Sequence, residues 1–337
     1  MNIKELAKKL NLSITTVSRG LNDYSDVSIK TKERIKKFAK KHNYKPNPFA
    51  SGLASRNPRN LGFVITLYGL NYSPLNHTSF IQFLSGMKIK MEEDNIQFSM
   101  LLVKSEKEEM EAYKKLIFEL KVKNIIINNL RINDKRISFL KKHNVNFVAW
   151  GRTQNLKNYA WVDLDNNQSM KIIMEHLFKK NHKNIAFVNI NKKFNFAHQR
   201  MESYFSSLKE KNIKIKKDYY TEVPKNDAEI SRDAIIKLLK KHKEITALIC
   251  CTEYIAAGAI KACSKLNISI GKDLSIITYD SLVVSNLLQP ELTSTSHPND
   301  QLGYNAVRFL MDKKLKIENK NFLAKAKIID RGSVLKI

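Results

Sequence analysis

The sequence predicts an N-terminal all-α domain followed by an α/β core of two doubly wound parallel-sheet lobes. Three observations carry that prediction. Residues 3–42 hold three short amphipathic segments that share few apolar side chains. From Leu61 onward, short apolar runs alternate with stretches of helical periodicity, the rhythm of parallel strands covered by helices. That second stretch, roughly 270 residues, exceeds one doubly wound unit, so it reads as two lobes with a cleft between them.

In the first segment Ile3, Leu6, Ala7 and Leu10 fall on one helical face. Asn11-Leu12 breaks the pattern, and Ser13 offers an N-cap hydroxyl for a second helix over 14–21. Val17 and Leu21 point inward there, leaving Ile14, Thr15, Ser18 and Arg19 elsewhere on its surface. Ser28 caps a third helix running to about His42, with Ile35, Phe38 and Ala39 inward. Residues 44–56 follow as a linker with weak helical potential: Asn47 and Pro48 suit a helix start, but Gly52 costs about 1 kcal/mol relative to alanine.

In the core, apolar runs at LGFVITL, QFSMLLV, NIIIN and NFVAW alternate with helical stretches over 79–94, 106–121 and 134–143. After residue 160 the alternation resumes: helices over 167–180, 198–211, 227–242 and 254–266, with strands at NIAFVNI, 218–223, ALICC and LSIITYD.

Composition narrows the partners. The 337 residues carry a net charge of +27, and residues 1–60 alone hold 14 Lys and Arg against 4 Asp and Glu. Such a charge suits phosphate backbones or anionic membrane surfaces, and its concentration in one segment points to function there. The diffuse remainder reads as codon bias. Cys250, Cys251 and Cys263 sit in apolar surroundings without CxxC spacing, so buried thiols are expected, with no metal, disulfide or cofactor. The N-terminus lacks the apolar core of a secretory signal, and no apolar run has the length of a membrane span, so a cytoplasmic protein is expected. GxSxG, HExxH, Walker A and Rossmann glycine patterns are absent, and Gly271-Lys272-Asp273 lacks the upstream glycine of a phosphate loop. An enzyme is not expected.

The segments, in this order, resemble the lactose-repressor (LacI/GalR) family of bacterial transcription regulators over essentially the whole chain. The strongest stretch is Ile3-Lys4-Glu5-Leu6-Ala7 with Leu12-Ser13-Ile14-Thr15-Thr16-Val17-Ser18-Arg19-Gly20-Leu21-Asn22. Val27-Ser28, Thr31-x-x-Arg34-Ile35 and Tyr44-x-Pro46-Asn47-x-x-Ala50-x-x-Leu53 continue it. Within the core, Leu61-Gly62-Phe63-Val64, Gly151-Arg152, Val162-x-x-Asp165-Asn166, Arg200-x-x-Ser203-Tyr204, Tyr279-Asp280, Pro290-x-Leu292-Thr293 and Arg331-Gly332-Ser333 are similar to family motifs.

The resemblance implies a helix-turn-helix DNA-binding domain over 1–46, a hinge helix over 47–59, and a periplasmic-binding-protein-like core over 60–337. The lobes would span approximately 60–158 plus 285–312, and 159–284 plus 313–337. Double-stranded, palindromic operator DNA would be bound by a homodimer, with no membrane partner. Ile14 and Thr15 would read base edges, Arg19 would reach guanine, and Ser13, Thr16, Ser18 and Asn22 would position the backbone. Leu53 would wedge into the minor groove, with Arg56 on phosphate. The Ser51-Gly52 pair departs from the family's hinge.

For a small-molecule effector, a sugar or sugar phosphate, the resemblance implies Asp165, Arg200 and Asp280 as polar contacts; a sugar also needs an aromatic face, for which Trp150, Trp161, Phe80 and Tyr72 are the candidates. Trp150 and Trp161 could equally pack in the core. Thr252 stands where an amide is common, and His297 where Gln is frequent. The alternatives are a binding-only sugar protein of the transport type and a purine-responsive regulator.

Overall fold

The computed structural model describes residues 2–21, 23–42, 44, 60–67, 78–155, 158–279 and 291–337. The chain divides into two compact units, Met1–Asn60 and Leu61–Ile337.

In the first unit, helices α1 (Ile3–Leu10), α2 (Ile14–Leu21) and α3 (Ile29–Lys41) form at the expected places because each start is capped. Asn2 accepts the Glu5 N–H at 3.0 Å while the Glu5 carboxylate accepts the Asn2 N–H at 3.2 Å, a reciprocal box at the first N-terminus. Ser13 Oγ accepts the Thr16 N–H at 3.0 Å, and Ser28 Oγ that of Thr31 at 3.2 Å. Asn11 ends α1 in the left-handed region, φ 54°. The core is as small as the sequence suggests: Leu6, Ala7, Leu10, Val17, Ile35 and Ala39. Arg34 adds a tie, donating from Nη2 to the Leu10 carbonyl at 3.1 Å.

The second unit contains two six-stranded sheets, together with the adjoining first strand. The first sheet uses β1 (Asn60–Thr66), β2 (Gln97–Val103), β3 (Asn124–Ile127), β4 (Asn146–Trp150), β5 (Ala160–Leu164) and β11 (Asn321–Ala324), in the order β11-β5-β4-β3-β1-β2. The second uses β6 (Ile185–Ile190), β7 (Tyr220–Val223), β8 (Ala247–Cys250), β9 (Ser275–Thr278), β10 (Thr293–Ser296) and β12 (Lys327–Ile329), in the order β12-β10-β9-β8-β6-β7. The registered pairs are parallel, except β10 with β12. Both are doubly wound, with a topological switch point where the strand order reverses.

Helices α4 (Thr78–Glu93), α5 (Glu106–Lys114), α6 (Lys135–Lys142) and α11 (Asn299–Met311) pack on the first sheet. The strand alternation decides which side each residue serves: Leu61, Phe63 and Ile65 join Phe80, Phe83 and Phe309 on one face, whereas Val64, Ile125 and Ile127 join Tyr113 and Leu140 on the other. Helices α7 (Asn166–Lys179), α8 (Asn195–Glu210), α9 (Ala228–Lys241) and α10 (Glu253–Leu266) enclose the second. The three cysteines are free and buried, and burial pushes the Cys263 thiol up to about 11.

Sheet membership moves the expected lobe limits. β5 belongs to the first sheet, so the first crossover falls at Asp165 rather than after residue 158. β10 belongs to the second sheet and α11 packs on α4 of the first lobe, so the second crossover lies at 297–298. β11 returns to the first sheet before β12, placing the third at 325–326 instead of 312. Short polar strands such as Thr293–Ser296 mask these positions in the sequence. The α4–α11 crossing demands glycine: a Cβ on Gly86 would lie 1.8 Å from the Asp300 carbonyl oxygen, and one on Gly303 1.9 Å from that of Phe83.

Candidate functional site

Two places gather the residues singled out above. In the first unit, capping leaves Ile14 (45% exposed) and Thr15 at the open first turn of α2, while Val17 is buried. Ser13 and Thr16 also join their hydroxyls at 2.8 Å, so this pair sets where the helix starts. The free N–H groups and positive dipole end of such a turn favour phosphate. Arg19, exposed on the last turn, lies 3.1 Å from Asp26 through Nε and 5.2 Å over the Tyr24 ring. An ion pair this exposed contributes at most about 1 kcal/mol, so it competes weakly with a nucleic-acid contact. Asp26→Asn is therefore expected to tighten duplex DNA binding about threefold at low salt, with the gain shrinking as salt rises. Fluorescence anisotropy checks it; unchanged or weaker binding contradicts it. Asn22, Leu53, Arg56 and the Ser51-Gly52 pair lie outside the described residues.

In the second unit a cleft opens at the C-terminal ends of the strands of both sheets, where doubly wound folds hold ligands. Phe80, Trp150, Arg200 and Thr252 line it. Trp150, ending β4, lies flat on Phe83 at 3.7 Å and 2°, with Phe80 at 6.1 Å. Gly151 then turns the chain at φ +110°, a conformation open to glycine. From α8 of the opposite lobe, Arg200 donates Nε to Asn166 Oδ1 at 2.9 Å and Nη1 to the Cys251 carbonyl at 3.0 Å. Its guanidinium lies 3.7 Å from the Tyr279 ring centroid. Thr252 caps α10, accepting the Ile255 N–H at 3.3 Å, and contacts Asn226 at 2.5 Å.

Asp165 is a correction. Its carboxylate accepts the Gln168 N–H at 3.0 Å and caps α7, and it does not line the cleft. The carboxylate that does is Asp163, two residues earlier on β5. Arg152, Asn128, Asn129 and Asn226 line the cleft too, and their place just after strand C-termini is the one signal the sequence carries for them; Phe196 enters from the first turn of α8. Asp163 accepts Arg152 Nε at 2.8 Å and the Leu164 N–H at 2.9 Å. Burial lifts its carboxyl to about 6, with the Arg152 charge pulling the other way. Tyr72 and Asp280 lie outside the described residues, and Trp161 sits beneath Arg152, 5.0 Å from its guanidinium.

The lobes also meet away from the crossovers. Ile132 N donates to the Lys193 carbonyl at 3.0 Å and Asn195 N to that of Leu130 at 2.9 Å, an antiparallel bridge between Arg131 and Phe194. The first-lobe half of this latch is anchored by Arg136, buried with Asp134 and Glu109. Asn195 opens α8, where proline fits, and Phe194 (φ −78°, ψ 128°) already has the conformation that precedes proline. Asn195→Pro is expected to delete one latch bond and leave the helix whole. The Ile132 amide then exchanges at least about fivefold faster than in Asn195→Ala, which keeps the N–H. Equal exchange in both variants contradicts the latch.

A model of the bacterial regulatory proteins of the lacI family matches residues 2–47, and one of the periplasmic binding protein-like domain matches residues 174–334. The HTH-type transcriptional regulator AglR of Rhizobium meliloti (strain 1021) is 30% identical over 293 residues, covering 86% of this chain and 80% of AglR. The chain belongs to the lacI family. Like other lacI-family members it is a transcriptional regulator with a helix-turn-helix DNA-binding domain, not an enzyme. Its fold is that of a lac repressor dimer solved with operator and the anti-inducer ONPF, with a TM-score of 0.81, 20% identity and 99% of each chain covered. A CelR–cellobiose complex matches with a TM-score of 0.76 at 19% identity, again over 99% of each chain. The lacI-family framework accounts for the pairing of a basic three-helix unit with a two-lobed cleft, and no described helix is long and apolar enough to cross a membrane.

Proposed function

We propose that this regulator is a dimeric repressor that binds a palindromic operator and is controlled by a sugar or sugar phosphate held in the inter-lobe cleft. The observation that carries the ligand class is the combination of aromatic rings lining the cleft, Trp150 and Phe80, with the Arg200 guanidinium of the opposite lobe. Saccharides need both: an aromatic face for their C–H surface and fixed polar groups for their hydroxyls. A cleft that binds across two lobes can couple occupancy to their relative position, and hence to DNA binding. The structural likeness to the cellobiose complex of CelR supports a saccharide.

Dimerisation is supported by apolar side chains left in solvent on the first lobe. Phe98, Met100 and Leu102 share the exposed face of edge strand β2, at 37%, 40% and 53% exposure, and Ile81 and Ile89 are exposed on α4. Exposed apolar side chains gathered on one lobe suit a protein interface. One helix-turn-helix unit covers too little DNA for useful specificity, which also favours two.

A thermal-shift screen of the full chain against neutral and phosphorylated saccharides tests the ligand class. At least one is expected to raise the melting temperature in a concentration-dependent way. If none does while a purine does, the effector class is wrong.

A further inference from the structure

The half-buried Arg152 pairs with the buried Asp163 at the rim of the first lobe, a contact to which the proposed function gives no task. Arg152 leaves the end of β4 and places Nε 2.8 Å from Asp163 Oδ2, braced on the Trp161 ring. Both residues line the cleft, Asp163 at 5% exposure. A buried ion pair is a poor device for stability, because desolvating two charges offsets most of their attraction. This one also leaves hydrogen-bonding capacity unspent. Neither Nη of Arg152 has an acceptor among the described residues, and each Asp163 oxygen accepts a single hydrogen bond there.

The mixture of groups is informative. Arg152 Nη offers donors only, and the Asp163 carboxylate offers acceptors only. A phosphate or carboxylate could satisfy the first but not the second, and would meet like charge at Asp163. A hydroxyl satisfies both, donating to Asp163 while accepting from Arg152. The Trp150 and Phe80 rings line the same lobe's side of the cleft, and Arg200 faces it from the other lobe.

We propose that Arg152 and Asp163 form a hydroxyl-reading pair that selects a neutral saccharide over an anionic one. The assignment rests on the saccharide reading of the cleft. Arg152 acts through its fork, so a lysine cannot replace it, and Asp163 both orients that fork and accepts the hydroxyl. Sitting just before the crossover at Asp165, the pair grips the ligand from the first lobe while Arg200 grips it from the second.

The test is isothermal titration of the full chain with a panel of neutral pyranosides and disaccharides, their monodeoxy analogues, glucose 6-phosphate and glucuronate. The wild type is expected to bind a neutral member at least tenfold more tightly than its anionic counterpart. Arg152→Lys and Asp163→Asn each lose about tenfold or more for that member. The paired replacement Arg152→Met with Asp163→Leu removes both charges together, a change that buried pairs tolerate, and guards against misfolding; its unliganded melting temperature is the control. A structural role alone would weaken every ligand alike. The pair predicts that one monodeoxy analogue binds wild type and variants equally. Saccharide binding unaffected by these variants, or preferential binding of an anionic member, overturns the pair and leaves the saccharide reading standing. If no saccharide of the panel binds, that reading fails and the pair with it.

Discussion

Arg200→Met is expected to weaken effector binding by at least about thirtyfold, the loss of a charge-assisted hydrogen-bonding partner worth about 2–3 kcal/mol. The guanidinium is fixed before any ligand arrives. Asn166 and the Cys251 carbonyl hold two of its nitrogens, Tyr279 supports its face, and Nη2 has no acceptor among the described residues. Preorganisation of this kind means the ligand bears little ordering cost when it binds. Methionine keeps the stem packed on Tyr279 while removing the donors, so calorimetry of Arg200→Met against wild type isolates them. Binding within twofold of wild type would remove Arg200 from the site.

Arg136→Met is expected to destabilise the second unit by about 3–5 kcal/mol, since it removes the buried cation that faces the buried Asp134 and Glu109 carboxylates. Arg136 is 2% exposed; it lies 2.6 Å from Asp134 and 2.7 Å from Glu109, and donates to the Asn128 and Asn129 carbonyls. Burial alone would raise the Asp134 carboxyl, but Arg136 and two backbone N–H donors outweigh it and hold it below its ordinary 3.8. The wild type therefore keeps this contribution above about pH 4 and loses it only as pH falls through the lowered value. Without Arg136 the buried Asp134 carboxyl takes up a proton more readily, so the deficit is largest near neutral pH and narrows as the pH falls towards 4. Urea unfolding at pH 7 and pH 4 reads both effects; an equal deficit at the two values contradicts them. Because the same cluster anchors the latch segment, the cleft loses its Asn128–Leu130 wall along with stability.

The elements that carry strong local signals were legible in the sequence. Ser13 and Ser28 mark helix starts by side-chain chemistry alone, and strands such as Gln97–Val103 and Asn146–Trp150 stand out as apolar runs between helices. The crossover strands were not. Thr293–Ser296 reads as polar loop, yet Thr293, Ser294 and Thr295 are fully buried, and Thr293 exchanges hydrogen bonds with Ser333, Asp330 and Arg331. Long-range satisfaction of that kind has no period to detect. The cleft shows the same division. Arg200 and Trp150 could be placed from motif and strand position, whereas the choice between Asp163 and Asp165 turns on which carboxylate the helix consumes as its cap. Both lie in the same five-residue stretch, and only the geometry at the crossover separates them.

The central claim is that operator binding by the basic N-terminal unit answers to a saccharide in the cleft. Titrating the full chain into duplexes from its own upstream region and into scrambled duplexes, with and without the saccharide found by thermal shift, tests it most directly. The predicted result is a preference of about a thousandfold or more for one palindromic duplex, a steep fall in affinity with salt, and a change of about tenfold or more in operator affinity when the saccharide is present. Equal affinity for all duplexes, or operator binding that ignores a saccharide known to occupy the cleft, would contradict it.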